Sequence, residues 1–104
     1  MSNANFRHET NTLTLPADGT GKTVLTFSPA ALQYARVQIS GGTALWIGDG
    51  AGVGGLPLQN GMALTFVGGE YRGLTDEVAI KLCASGGVAV TVDVLKCSYT
   101  GDKI

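Results

Sequence analysis

The amino-acid sequence predicts an all-β protein: a single β-sandwich or jelly-roll-like barrel of about seven antiparallel strands, with a flexible N-terminal arm. Sixteen of the 104 residues are glycine, and they separate short runs rich in β-branched residues. Those runs alternate apolar and other residues as half-buried strands do, for example residues 35–40 and 88–94. No long amphipathic helical pattern is visible in the sequence. We therefore expect one domain, residues 11–104, preceded by an arm of residues 1–10.

The first elements are short and are interrupted by turn residues. Residues 1–10 are polar and show little periodicity, which indicates the flexible arm. Residues 12–15 alternate and end at Pro16, and a turn-rich segment follows. Residues 22–27 form the second predicted strand and end before a Ser-Pro pair. Residues 30–34 fit a single helical turn that connects to the next strand.

The later strands are predicted to form hairpins around glycine-containing turns. Gly41-Gly42-Thr43 and Ser85-Gly86-Gly87 each separate two alternating runs, which is a short-hairpin signal. The dipeptide Asn60-Gly61 predicts a further turn before a strand. The predicted strand ranges are 35–40, 44–48, 62–67, 77–84 and 88–96.

Alternation in these strands predicts which side chains face a shared core. The two strands of the closing hairpin present their apolar residues on one face and Lys81, Thr91 and Asp93 on the other. The earlier strands continue the apolar face. The predicted inward residues are Val37, Ile39, Leu45, Ile47, Leu64, Phe66, Val78, Ile80, Leu82, Val88, Val90, Val92 and Val94.

Composition limits the partners that this protein can have. Only 14% of residues are charged, against about 25% in ordinary soluble domains, which predicts that part of the surface is covered by another protein. The net charge is −1 and the basic residues are scattered, so nucleic-acid binding has no electrostatic support. The apolar runs are too short for a membrane-spanning helix, and the N-terminus lacks the apolar core of a secretory signal. We therefore expect synthesis in the cytoplasm of the producing cell.

Three apparent ligand-binding motifs lack the structural context that they need. Residues 19–23 resemble the end of a phosphate-binding loop, but a β-branched run follows instead of a helix. Residues 50–55 match G-x-G-x-x-G, yet a proline and a turn follow where a helix is required. Asp49 is a single carboxylate among glycines, which falls short of a calcium site. The sequence therefore predicts no cofactor and no metal.

The cysteines and the single histidine do not predict catalysis. Cys83 and Cys97 are expected to be buried free thiols, with a cross-strand disulfide as the alternative. Two cysteines and a distant His8 do not have zinc-ligand spacing. Because His8 lies in the predicted arm, it cannot be held against Ser28, Ser40 or Cys83 as a general base. We expect a non-enzymatic protein.

The candidate partner-binding residues surround the glycine-rich loops. Alternation directs Trp46 outward, where a large aromatic side chain would anchor a partner protein. Two other interpretations of Trp46 stay open: a bulge or register change would tuck it under the glycine loop, or its ring would stack on a sugar. The candidate residues are Trp46, Asp49, Gly52, Tyr71 and Arg72.

Several of these segments together resemble a known class of proteins. A predicted hairpin at 36–48, the glycine-rich loop, the turn Pro57-Leu58-Gln59-Asn60-Gly61 and the closing hairpin follow one another in this order. This pattern over residues 35–96 resembles small β-sandwich virion proteins of tailed bacteriophages. The resemblance implies a structural subunit of the virion, of the head-decoration, head-fibre or tail-associated type.

The resemblance also implies the partners. Such subunits are often oligomeric, and this one would bind the major capsid or tail proteins of the same virion, with no nucleic acid or membrane partner. An alternative function is carbohydrate binding, with Trp46 or Tyr71 as a stacking platform.

Overall fold

The computed structural model describes residues 6–48, 55–68 and 77–99, and these ranges contain eight β-strands. Apart from the polar first half of β1, the strands coincide with apolar or β-branched runs that glycine, proline or polar turns separate. The strands are β1 Phe6–Leu15, β2 Lys22–Phe27, β3 Leu32–Ser40, β4 Ala44–Gly48, β5 Leu56–Leu58, β6 Ala63–Val67, β7 Val78–Ala84 and β8 Val90–Tyr99.

The strands form two four-stranded antiparallel sheets that pack face to face. Sheet 1 has the order β1-β8-β3-β6, and sheet 2 has the order β2-β7-β4-β5. Of the connections between these strands, the one from β4 to β5 stays in one sheet, and the others pass to the opposite sheet. This is a jelly-roll arrangement of eight strands, and it confirms the predicted all-β sandwich or jelly-roll-like class.

The hydrophobic core lies between the inner faces of the two sheets. Each aliphatic or aromatic side chain that is fully buried there contributes roughly 1.5–3 kcal/mol through burial. The alternation in β3, β7 and β8 is confirmed, because their inward residues are nearly inaccessible to solvent. These residues are Val37, Ile39, Val78, Ile80, Leu82, Val90, Val92 and Val94, joined by Leu15, Val24, Leu25, Phe27, Leu32, Ala35, Ala44, Leu58, Phe66 and Ala84.

The two predicted hairpins are wrong, because their turns are corners between the sheets. β3 belongs to sheet 1 and β4 to sheet 2, and β7 and β8 are divided in the same way. The two corners meet: the Ser85 N–H donates to the Thr43 carbonyl at 3.0 Å, and the Ser85 hydroxyl donates to Thr43 Oγ1 at 3.0 Å. Both turns contain a glycine with positive φ, Gly41 at 91° and Gly87 at 79°. A tight turn with a glycine at positive φ therefore connects strands of two different sheets here, although the same kind of turn also connects the strands of a hairpin.

Two parts of the predicted inward face are also wrong. Val88 is 48% exposed, because it lies in the corner and β8 begins at Val90. In β4 the faces are reversed: Ala44 is buried in the core, whereas Leu45 and Ile47 are only half-buried. A shift of one residue in a strand exchanges the two faces, which is the physical reason for this error.

Residues 6–10 are a strand and not part of a flexible arm. They form the first half of β1 and pair with residues 95–99 of β8, from Phe6 opposite Tyr99 to Thr10 opposite Leu95. β1 is an edge strand, and its residues 7–12 are exposed, so no apolar alternation marks them. Residues 1–5 lie outside the described ranges. The predicted helical turn at 30–34 is also shorter than expected, because β3 begins at Leu32.

Candidate functional site: the outer face of sheet 1

The interior of the jelly roll is filled by apolar side chains. Across the described ranges no polar or charged residue is buried, and no buried side-chain polar atom lacks a hydrogen-bond partner. The same ranges bring no three His, Cys, Asp or Glu side chains together as metal ligands. Small barrels and sandwiches either enclose a ligand or fill their interior with side chains, and this one does the second. The surface is therefore where a function of the described region must be sought.

Trp46 does not face solvent as alternation predicted. It packs against the core, and its ring meets Phe66 edge-on, with 5.7 Å between ring centroids and 89° between ring planes. Ala44 and Trp46 lie opposite Ala84 and Leu82 of β7, which belong to the core, and the β4–β7 register shifts only after Trp46. Residues 49–54 of the glycine loop, under which one interpretation places Trp46, lie outside the described residues. The other candidate residues, Asp49, Gly52, Tyr71 and Arg72, lie outside the described residues.

The outer face of sheet 1 is made by alternate residues of four strands. Its orientation follows from the core, because Val92 and Val94 face inward and their neighbours in β8 therefore face outward. The Thr12 hydroxyl donates to Asp93 Oδ1 at 2.9 Å on this face. Across β1, β8 and β3, the rows of this face are His8, Cys97 and Tyr34; Thr10, Leu95 and Arg36; Thr12, Asp93 and Gln38; and Thr14, Thr91 and Ser40.

The edge strand β6 adds a fourth column to this face. Val67 lies opposite Tyr34, Thr65 opposite Arg36, and Ala63 opposite Gln38. Val67 is 44% exposed although it is aliphatic. Hydroxyl and apolar groups dominate these four columns, and Arg36 and Asp93 supply the opposite formal charges within them.

Cys97 and His8 meet at one end of this face. Cys97 Sγ lies 3.6 Å from His8 Nε2, and the thiol donates to Gln33 Oε1 at 3.0 Å. A thiol beside an imidazole is the pair that enzymes use to activate sulfur. Here Cys97 is only 7% exposed, and its thiol already has a hydrogen-bond acceptor. The pair therefore joins β1 to β8 and is poorly placed to receive a substrate.

The sequence alone does not reveal this pair, because 89 positions separate the two residues. The only sequence signal for it would have been a first strand that begins before His8, since β1–β8 pairing sets the two opposite each other. Cys83 and Cys97 are both free thiols, as predicted; Cys97 is buried, whereas Cys83 is only half-buried.

Lys96 bridges the two sheets beside the β1 and β2 edges. Its Nζ donates to the Thr26 carbonyl oxygen of sheet 2 at 2.7 Å. A shallow depression of about 150 Å³ lies next to it, lined by Glu9, Thr10, Asn11, Val24, Leu25, Thr26, Val94 and Lys96. The Lys96 side chain therefore links sheet 1 to the main chain of sheet 2.

The outer face of sheet 2 has a different charge pattern. β7 directs Ala79, Lys81 and Cys83 outward, since Ile80 and Leu82 between them are in the core. Leu45 of β4 lies opposite Cys83, and Pro57 of β5 lies opposite Leu45 on its other side. The four described strands of sheet 2 contain lysine but no aspartate or glutamate. Within the described ranges no helix is long and apolar enough to cross a bilayer.

The comparisons with known proteins agree with this architecture. A scan against protein-family models gives no match, and a search of the curated proteins gives none. The chain is similar to a de novo designed double-stranded β-helix, with 14% identity and a TM-score of 0.56 over 86% of this chain and 97% of the other. It is also similar to a cupin protein from Bacteroides fragilis, with 17% identity and a TM-score of 0.51 over 93% of this chain and 70% of the other. At these identities the similarity shows the fold alone.

Proposed function

We propose that this protein is a non-enzymatic structural subunit of a bacteriophage virion, which decorates or stabilises the capsid or tail through protein–protein contacts. The observation that carries the proposal is an apolar, filled interior beneath a broad and nearly uncharged outer sheet face. Jelly rolls with filled interiors are used in viral capsid domains, and the sequence pattern over residues 35–96 points in the same direction. The fold itself is compatible with enzymes and with non-enzymes.

The exposed apolar side chains fit a subunit that its neighbours cover. Large apolar residues scattered over a surface are normal, but clusters at sheet edges commonly mark contacts. Leu56 begins β5, Met62 lies in the turn between β5 and β6, and Val67 ends β6; β5 and β6 are edge strands of the two sheets. Among the described residues, the large apolar side chains that are at least two-fifths exposed are Leu56, Met62, Val67, Val88 and Tyr99.

Mass spectrometry of purified particles tests this proposal. Particles would be prepared from a phage that carries the gene and from a matched phage with an early stop codon in it. We expect peptides of this chain in the first preparation, at a constant ratio to the major capsid protein through successive gradient purifications. Absence of the chain from purified particles, or a ratio that falls with each purification step, would contradict the proposal.

The alternative, a carbohydrate-binding module, gains no support from Trp46. A stacking platform needs an open ring face, and the ring of Trp46 is half-buried against Phe66. Calorimetric titration with mono- and oligosaccharides distinguishes the two functions. Saccharide binding that Tyr71→Ala abolishes, in a protein absent from particles, would favour the alternative.

A further inference from the structure

We propose that the outer face of sheet 1 is a self-association surface, on which a second copy of this chain packs across a two-fold axis. This inference concerns a different property from the proposed function, and it stands whether or not the chain is a virion subunit. Three features of the face support it: its charge pattern, the side chains around the charges and its area.

The charge pattern is self-complementary. Arg36 of β3 and Asp93 of β8 are exposed and lie diagonally across adjacent strands, because Arg36 pairs with Leu95 and Asp93 pairs with Gln38. Consider a two-fold axis that lies in the plane of the contact and crosses the midpoint of this diagonal at right angles. Rotation about this axis places Arg36 of one copy over Asp93 of the other. In an isologous contact each pair occurs twice, so one diagonal supplies two opposite-charge contacts.

The side chains around the diagonal suit packing against a second sheet. Leu95 and Gln38 lie opposite Arg36 and Asp93, respectively, and both are half-buried, while the row at one end consists of Thr14, Thr91 and Ser40. Packed sheets lie roughly 10 Å apart, a distance that short side chains such as these allow. Val67 at the edge is 44% exposed and would lose that exposure against a partner.

The area is sufficient for a weak but specific dimer. Four strands at about 4.8 Å spacing and a length of about 30 Å give roughly 600 Å² per copy. The total of about 1,200 Å² lies at the lower limit of specific interfaces. We therefore expect dissociation in the micromolar range and a strong dependence on ionic strength.

The outer face of sheet 2 does not offer the same match. It presents Lys81, and no acidic residue of the described sheet 2 strands lies beside it; the exposed Glu77 stands one residue before β7 begins. Sheet 2 therefore lacks an opposite-charge pair on neighbouring strands like Arg36 and Asp93, and a second copy is favoured on sheet 1.

Analytical ultracentrifugation with two charge-reversal variants tests the proposal. Wild-type protein should show a concentration-dependent monomer–dimer equilibrium, and Arg36→Asp and Asp93→Arg should each weaken dimerisation at least about tenfold, because each single variant sets like charges against each other. An equimolar mixture of the two variants should recover dimers near the wild-type affinity. In the mixed dimer one contact keeps the native pair of charges and the other joins the two introduced, opposite charges. Lys81→Asp, on the other sheet, is the control and should leave dimerisation unchanged.

The mixture separates an intermolecular contact from an intramolecular one. If Arg36 and Asp93 acted only within one chain, each variant would stay defective after mixing. Circular dichroism confirms that all variants are folded. A wild-type protein that is monomeric up to about 1 mM, single variants that dimerise like wild type, or a mixture no better than its components would each overturn the proposal.

Discussion

At the scale of single residues, Gly68 shows how closely two loops of the backbone approach. A Cβ atom at this position would overlap the Leu32 carbonyl oxygen and lie 3.1 Å from the Pro29 carbonyl oxygen. Backbone atoms cannot move aside as a flexible side chain can. The lack of a side chain at Gly68 therefore allows the end of β6 to pack closely against the start of β3 and the turn before it.

We expect Gly68→Ala to destabilise the fold by at least about 2 kcal/mol, which lowers the melting temperature by roughly 8 °C or more. Gly21→Ala is the matched control, because a Cβ there meets the terminal Cδ1 of Ile47, at 2.8 Å, and that methyl group can rotate away. Thermal denaturation followed by circular dichroism measures both. Equal melting temperatures for the two variants would contradict this account of Gly68.

The turn after β1 stabilises the charged carboxylate form of Asp18. The Thr20 N–H donates to Asp18 Oδ1 at 2.9 Å, and this hydrogen bond, with a second from the Thr20 hydroxyl, lowers the pKa of Asp18 below its ordinary value. A carboxylate with a lowered pKa stabilises the fold at pH values above its unfolded pKa, near 3.8, and that contribution is lost as pH falls through the lowered folded value.

NMR titration of the Asp18 carboxyl carbon checks this prediction. The titration midpoint in the folded protein should lie below that of the same residue in a short peptide. Thr20→Ala removes the hydroxyl donor but keeps the N–H, so the midpoint should rise only part of the way toward the peptide value. A folded midpoint equal to that of the peptide would contradict the predicted hydrogen bonds.

At the scale of elements, the first half of β1 is the segment whose removal is most informative. Deletion of residues 1–10 removes the part of β1 that pairs with the second half of β8, and takes away His8 beside Cys97. We expect a lower melting temperature, by roughly 10 °C for a loss of about 2 kcal/mol. We also expect faster reaction of the Cys97 thiol with a maleimide, because its cover is gone.

Cys83 on the outer face of sheet 2 is the internal control for this deletion, since its labelling rate should not change. Labelling rates of both thiols can be read from the same digest by mass spectrometry. An unchanged melting temperature together with unchanged Cys97 labelling would show that residues 6–10 are dispensable, as expected of a flexible arm.

The elements also show what the sequence could and could not predict. The inward faces of β7 and β8 were predictable, because buried residues such as Ile80, Val90 and Val92 alternate regularly with residues on the solvent-exposed face. The assignment of β3 and β4 to different sheets was not, because a tight glycine turn has the same local pattern in a hairpin and in a corner. The start of β1 was also hidden, since an edge strand with exposed residues on both faces carries no apolar period.

The candidate site was harder to predict than the fold. Trp46 faces the core because β4 alternates in the opposite phase to the predicted one, with Ala44 and Trp46 inward in place of Leu45 and Ile47. The short apolar run of β4 contains no local signal for this choice. The outer face of sheet 1 depends on which strands are neighbours, and the Arg36–Asp93 diagonal exists only because β3 lies beside β8. Such long-range pairing is decided by the fit of the whole core and not by any local segment.

At the scale of the whole molecule, one hydrophobic core holds both sheets together. Ile80 of sheet 2 and Val90 of sheet 1 are at most 1% exposed and belong to the same buried cluster. We expect Ile80→Asp and Val90→Asp each to unfold the entire domain, because an unpaired buried charge costs several kcal/mol against a total stability of about 5–15 kcal/mol.

Lys81→Asp tests whether burial, rather than the new charge alone, causes the loss. Lys81 adjoins Ile80 in β7 but is exposed, so this variant should keep a cooperative thermal transition. Circular dichroism and the dispersion of proton NMR signals report on all three variants. Native-like spectra for either core variant would mean that the two sheets do not share a core.

The pairing of the first strand with the last has a consequence for how the chain is made. Thr12 and Asp93, which are hydrogen-bonded in the finished protein, lie 81 positions apart. At a synthesis rate of about 5–20 residues per second, β1 leaves the ribosome roughly 4–16 s before its partner β8 exists. During that interval β8 is missing from sheet 1, and β1 has no neighbouring strand from its own chain. Its unpaired edges can then bind a strand of another chain. Polysomes that carry several nascent copies are therefore where this protein is most exposed to misassembly, and a slower ribosome lengthens the exposure.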